Sequence, residues 1–346
     1  MQLLSPSFAL AATAAVAALV VVQVPGSHCE SGEFKQPTPH ERYRQDGSRN
    51  NLVHPPGYAT APVDTFGEVT ERGTGERAVI LIGGLGPSWR VFDSLIEAHE
   101  DEYRFIAVTL AGYGGSSAPP MPEEPSFANG AWLVGAQNAL HALIDERSLE
   151  RPLVLAFYSE AARVAVRTAL AQPDSVGGLL IVSASPRFPL PVGADRAASL
   201  DMFAESWFKT VTEIMWPSGM WPPAAYANDR ALAEKTWWDV LEPTLPTAVR
   251  YTLECWSDDL VPELKDLRTP TVVLSPGFDE AFLATPSGEV IRQRFHAGWE
   301  VAVKAGAPIE HTIVAGARLL VWEDRPEEVH GALKSLARRA AGDAPR

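Results

Sequence analysis

A serine hydroxyl is a useful nucleophile only when a nearby base takes its proton. The chemistry open to this chain therefore depends on which serines, carboxylates and histidines its fold brings together. Ser159 stands where the apolar run PLVLAF (152–157) gives way to helical spacing at Ala162, Val166, Ala169 and Leu170. Asp279 and Glu280 follow a second apolar run, PTVVLS (270–275). Of the 8 histidines, His99, His141 and His330 fall on outer helical patterns, and His28, His40 and His54 precede the first apolar run. His311 opens the last run, HTIVAG (311–316), and His296 lies in the long connection RFHAGWEV before it. Cys29 and Cys255 show neither C-x-x-C nor His/Cys ligand spacing, so no zinc site or disulfide framework is indicated, and neither a metal nor a cofactor is expected. Gly83, Gly84 and Gly86 lack the full G-x-G-x-x-G spacing, and Thr109 rather than an acid closes the next run, which argues against dinucleotide chemistry.

These residues need a scaffold, and 346 residues with 46% hydrophobic content can bury a sizeable core. The net charge is −14 and the Lys and Arg residues are scattered, so a nucleic-acid partner is not expected. Six short apolar runs, AVILI (78–82), FIAVTL (105–110), PLVLAF, GLLIVSA (178–184), PTVVLS and HTIVAG, alternate with helical spacing. That alternation predicts an α/β fold with a mainly parallel sheet and helices on both faces. The regularity breaks over 187–267, a proline-punctuated stretch holding Trp207, Trp216, Trp221, Trp237, Trp238 and Trp256, which reads as an inserted lid. Residues 1–25 include the apolar run Phe8–Val22, of signal-peptide length but without Lys or Arg in residues 1–7. Export to the periplasm or the extracellular space is the expectation, with membrane association through an uncleaved N-terminal anchor as the alternative. Residues 26–62 read as a polar linker.

Four segments carry a resemblance to the α/β-hydrolase family. LIGGLGPSWRVFDSL (81–95) resembles its strand, turn and helix, and TLAGYGGSSAPP (109–120) resembles its D-x-P-G-x-G-x-S segment. RPLVLAFYSEAARVAVRTALAQPDSVGGLLIVSA (151–184) is similar to the strand, nucleophile elbow, helix and next strand. IVAGARLLVWEDRPEEV (313–329) is similar to the last strand, the histidine turn and the following helix. The resemblance implies an α/β-hydrolase core in two parts, 63–186 and 268–340, interrupted by a mostly helical cap over 187–267. Counted seven residues from Pro152 and fourteen from Pro173, Ser159 takes the nucleophile position. The Leu85 and Glu160 N–H groups then form the oxyanion hole, and Asp279, or the adjacent Glu280, is the orienting acid. Several positions depart from the pattern, among them Gly83 where the turn has histidine and Ala161 where the elbow has its second glycine. Phe157 stands where the elbow has glycine, Glu160 brings a carboxylate to a site for developing negative charge, and Arg318 or Leu319 occupies the histidine position. Arginine stays protonated and cannot serve as general base, which leaves His296 as the substitute. The implied ligand is a small apolar or aromatic molecule held under the tryptophan-rich cap. The implied activity is serine hydrolysis of an ester, amide or lactone. The alternative is a non-catalytic binding or scaffolding protein with a degenerate triad, and a third reading is cofactor-free addition or elimination under the lid.

Overall fold

The computed structural model describes residues 57–123, 127, 129–187, 221, 223–284 and 286–342. The N-terminal apolar run, the linker up to residue 56, Trp207 and Trp216 lie outside the described residues. All six apolar runs form strands: β2 (Arg77–Gly83), β3 (Tyr103–Leu110), β4 (Leu153–Phe157), β5 (Gly178–Val182), β6 (Thr271–Pro276) and β7 (Ile309–Val314). They are joined by β1 (Phe66–Arg72), and the seven-stranded order is β1-β3-β2-β4-β5-β6-β7. β1 runs antiparallel to β3, while every other pairing is parallel. β1 escaped the sequence reading because FGEVTER is half exposed and mostly polar, as an edge strand can be.

Parallel strands covered on both faces must be apolar throughout. Val79 and Leu81 pack on one side of the sheet with α1 (Asp93–His99), while Ile80 and Ile82 pack on the other with α2 (Ala131–Glu146). α3 (Tyr158–Ala171) starts directly after β4 and runs back over the face shared with α2.

Between β5 and β6 the described residues include α4 (Arg230–Val240) and α5 (Leu245–Ser257). Trp221 and Trp256 are buried there, and Trp237 packs on Trp238 with ring centroids 4.8 Å apart. Helix α5 is tied to the core through Glu254, whose carboxylate accepts the Trp132 and Leu133 N–H groups at 2.9 and 3.0 Å. These are first-turn donors of α2 that have no partner within their own helix. Arg250 pairs with the same buried carboxylate.

The connection from β6 to β7 contains α6 (Pro286–Ile291), a π-helical turn (Arg292–His296) and α7 (Ala297–Lys304). A π turn places one extra residue in the helix and re-aims its side chains. Here Arg294, Phe295 and His296 are all buried. The chain closes with α8 (Pro326–Ala340), packed on the same face as α1.

Candidate functional site

Backbone strain marks where the site lies. Four non-glycine residues with positive φ follow the carboxyl ends of parallel strands: Leu85 (68°) after β2, Tyr158 (70°) after β4, Ser183 (51°) after β5 and Phe278 (48°) after β6. A left-handed conformation costs an L-residue about 1–2 kcal/mol, and such positions gather at functional sites. The loops after β2, β4 and β6 are those to which the sequence assigned oxyanion donor, nucleophile and acid.

The strained residue after β4 is Tyr158, one position before Ser159. β4 ends at Phe157 with ordinary extended geometry, Tyr158 makes the turn, and Ser159 already belongs to the first turn of α3. Counting from flanking prolines is uncertain by one residue at such a junction, and here the slip exchanges serine for tyrosine. A signal was present in the sequence. An elbow needs a small residue two positions before its strained residue, where strand and helix cross, and Ala156 satisfies that for Tyr158. Placing Ser159 at the elbow put Phe157 there instead. Phe157 is fully buried on the opposite side, edge-on to Trp322 with centroids 5.0 Å apart.

Ser159 is 2% exposed, and its Oγ accepts the Ser185 N–H at 3.0 Å. That contact joins the first turn of α3 to the loop after β5, which is a structural use of the hydroxyl. The Glu160 and Leu85 expectations change with the frame. The residue following the strained position is Ser159, and Glu160 comes one position later. Its side chain instead turns back over the Gly84–Leu85 turn, where a Cβ on Gly84 would meet Glu160 Oε2 at 3.0 Å. The Leu85 N–H lies close enough to favour the carboxylate's charge. A carboxylate therefore sits beside the amide assigned to an oxyanion. Oε2 makes no hydrogen bond with the described residues. Burial raises the Glu160 pKa, opposed by its own N–H, Arg294, Arg163 and Leu85.

The sign of that shift makes a prediction. A carboxyl whose folded-state pKa is raised contributes most to stability below its ordinary range, and the contribution is lost as pH rises toward the folded value. Glu160→Gln should therefore match the parent at pH 4 and be the more stable protein at pH 8 in urea unfolding. Equal stability at pH 8 would remove the argument that burial dominates.

The Tyr158 hydroxyl accepts from Trp221 Nε1 at 2.9 Å and from Arg294 Nη2 at 3.2 Å. Burial raises its pKa, partly offset by Arg294, so it is a neutral phenol near pH 7. The Arg294 guanidinium lies within 6 Å of the ring centroids of Tyr158, Trp221, Trp256 and Phe295. Arg294 Nε is buried with no hydrogen-bond partner among the described residues. The sequence did not single out Arg294, because only the π turn brings it to Tyr158.

The remaining triad positions do not form a base. Asp279 pairs with Arg318 at 3.3 Å, and the Arg318 guanidinium stands over the Phe278 ring at 4.9 Å. Leu319 is fully buried in the same cluster as Tyr158, held by its N–H to Ala225 O and by Ser183 Oγ donating to its carbonyl. The arginine thus takes the acid while the leucine lines the core. His296 is not joined to Ser159 or Asp279. Its Nε2 donates to Pro276 O at 2.8 Å, and burial lowers its pKa. His311 contacts Ser275 Oγ at 2.9 Å, its pKa lowered to about 4 by burial and then by His296.

A profile described as the alpha/beta hydrolase family matches residues 79–332, well over half of the chain. The chain belongs to the alpha/beta hydrolase family. Among curated relatives, the Karrikin insensitive 2 receptor B of Petunia hybrida is 30% identical over 116 residues, covering 34% of this chain and 41% of the relative. The chain thus spans about two fifths of that relative's length. Among solved structures of the family's fold, a thermophilic esterase from Thermogutta terrifontis superimposes with a TM-score of 0.55 at 20% identity, covering 79% of this chain and 93% of the esterase. An enol-lactonase from Burkholderia xenovorans gives a TM-score of 0.52 at 15% identity, with 78% and 95% covered. At these identities the structural likeness establishes the alpha/beta hydrolase fold and nothing finer.

Proposed function

We propose that this alpha/beta hydrolase family member binds a small, largely apolar or aromatic molecule without forming an acyl-serine intermediate. The observation that carries this reading is Tyr158, rather than a serine, at the strained position after β4. A phenol whose pKa is raised by burial is a poor nucleophile near pH 7, and among the described residues its hydroxyl is bonded to Trp221 and Arg294 rather than to a histidine that could take the proton. The Glu160 carboxyl over the Leu85 amide argues in the same direction, since it occupies the donor that an oxyanion would need. A binding role is supported by the aromatic ring of Tyr158, Trp221, Trp256 and Phe295 around Arg294, whose guanidinium suits a carbonyl or carboxylate oxygen on the ligand. The Petunia relatives are themselves named receptors.

The test is covalent labelling of the folded, full-length chain with a fluorophosphonate probe, read by intact-protein and peptide mass spectrometry. No adduct is expected at Ser159 or Tyr158, and any hydrolysis of an ester panel should survive Ser159→Ala. An adduct on Ser159, or ester turnover abolished by that substitution, would restore the serine-hydrolase reading.

A further inference from the structure

We propose that His99, Glu102 and His330 form a binding site for one zinc-class divalent transition-metal ion, with water completing the coordination. The cluster lies away from the candidate active site. His99 ends α1, Glu102 sits in the turn that leads into the amino end of β3, and His330 projects from the second turn of α8. Tyr158, by contrast, follows the carboxyl end of β4. One ring nitrogen from each histidine and a Glu102 oxygen all lie within 4.8 Å of one another.

The donors converge on Glu102. Its Oε1 lies 3.7 Å from His99 Nδ1 and 3.8 Å from His330 Nε2. The two rings stack with centroids 4.1 Å apart, so both imidazoles must turn out of the stack for their in-plane lone pairs to meet on one ion at about 2.0 Å. Two imidazoles and one carboxylate are a donor set for zinc, cobalt or nickel rather than for magnesium or calcium.

Two further features support the assignment. His99 Nδ1 is buried without a hydrogen-bond partner among the described residues. The turn is held by the Glu102 N–H donating to His99 O at 3.0 Å, and Lys334 Nζ stands 3.7 Å from the second Glu102 oxygen, where it can orient the carboxylate. An ion here would cross-link the turn between α1 and β3 to the last helix. Its role would be structural.

The experiment titrates full-length, EDTA-stripped protein with Co²⁺ and follows the visible absorption bands of the bound ion, then displaces it with Zn²⁺. One equivalent of Co²⁺ should bind, and Zn²⁺ should raise the melting temperature. His99→Ala, Glu102→Gln and His330→Ala should each weaken Co²⁺ binding by more than about tenfold, a loss that removing even an outer-shell partner can cause. His141→Ala, on α2, should bind as the parent does. The Glu102 side chain is 46% exposed, so its glutamine variant decides the outcome if either histidine variant fails to fold. Absent cobalt bands, or bands unchanged by Glu102→Gln, would reduce the cluster to a stacked imidazole pair and overturn the proposal.

Discussion

Tyr158→Ala is expected to lower the free energy of unfolding by about 3–5 kcal/mol, the range for emptying a large buried aromatic site. The ring is fully buried between Phe157 and Phe295, and its hydroxyl serves both Trp221 and Arg294, so truncation leaves a cavity and two donors without an acceptor. Tyr158→Phe removes only the hydroxyl and should cost about 1–3 kcal/mol. The informative comparison is Tyr158→Gly. In a helix interior glycine is worse than alanine by about 1 kcal/mol. At a φ of 70° the order should reverse, because alanine keeps the left-handed penalty and glycine does not. At Ser159, inside the first turn of α3, the ordinary order should hold, with Ser159→Gly less stable than Ser159→Ala. Denaturant unfolding of the glycine and alanine variants at both positions locates the strained residue, and the opposite ranking would put the elbow back at Ser159.

Arg163→Met should be comparably damaging, at about 3–5 kcal/mol, the usual cost of breaking a buried charged network from one side. Arg163 is 1% exposed and donates to three carbonyls: Ser159 O at 3.1 Å, Ser185 O at 2.9 Å and Asp258 O at 2.9 Å. One side chain therefore fastens the start of α3 to the loop after β5 and to the end of α5. Methionine fills much of the volume but satisfies none of those oxygens, each of which costs about 1–3 kcal/mol when buried alone. Arg163→Lys keeps the charge without the planar fork and should fall between the two. Asp258 keeps a partner in every variant, since Arg167 also binds its carboxylate. The loss should therefore be insensitive to salt in urea melts at 0.05 and 1 M NaCl. A salt-dependent loss, or one below about 1 kcal/mol, would mean that the three carbonyls find other donors.

The two sites differ in how far they could be read without coordinates. Each parallel strand announced itself as a short apolar run, because a strand buried on both faces has no room for polar side chains. Arg318 or Leu319 stands where the resembled motif carries its histidine, and the structure gives the two residues separate fates: the arginine turns out to Asp279 and the leucine turns into the core. The count from the flanking prolines puts Ser159 at the nucleophile position, whereas the strained turn after β4 falls on Tyr158. A strand-to-helix junction is bounded by composition only to within a residue or so, and one residue is enough to exchange Ser159 for Tyr158. His296 was read as a substitute base because a long connection can fold anywhere. The π turn instead directs it to Pro276 and brings Arg294 to Tyr158.

What the amino-acid order determined by itself was the periodic information: the parallel sheet, the helices on its two faces, the family's motifs and the lack of a histidine where the last of them expects one. These follow from hydrophobic spacing and turn chemistry, which act over a few residues. Only the tertiary structure decided that Tyr158 bears the strain, that Glu160 lies over the Leu85 amide, and that His99 meets His330 across 231 positions of chain. Those facts depend on the sign of a single φ angle and on which loops converge at each edge of the sheet, and neither leaves a periodic trace in the sequence.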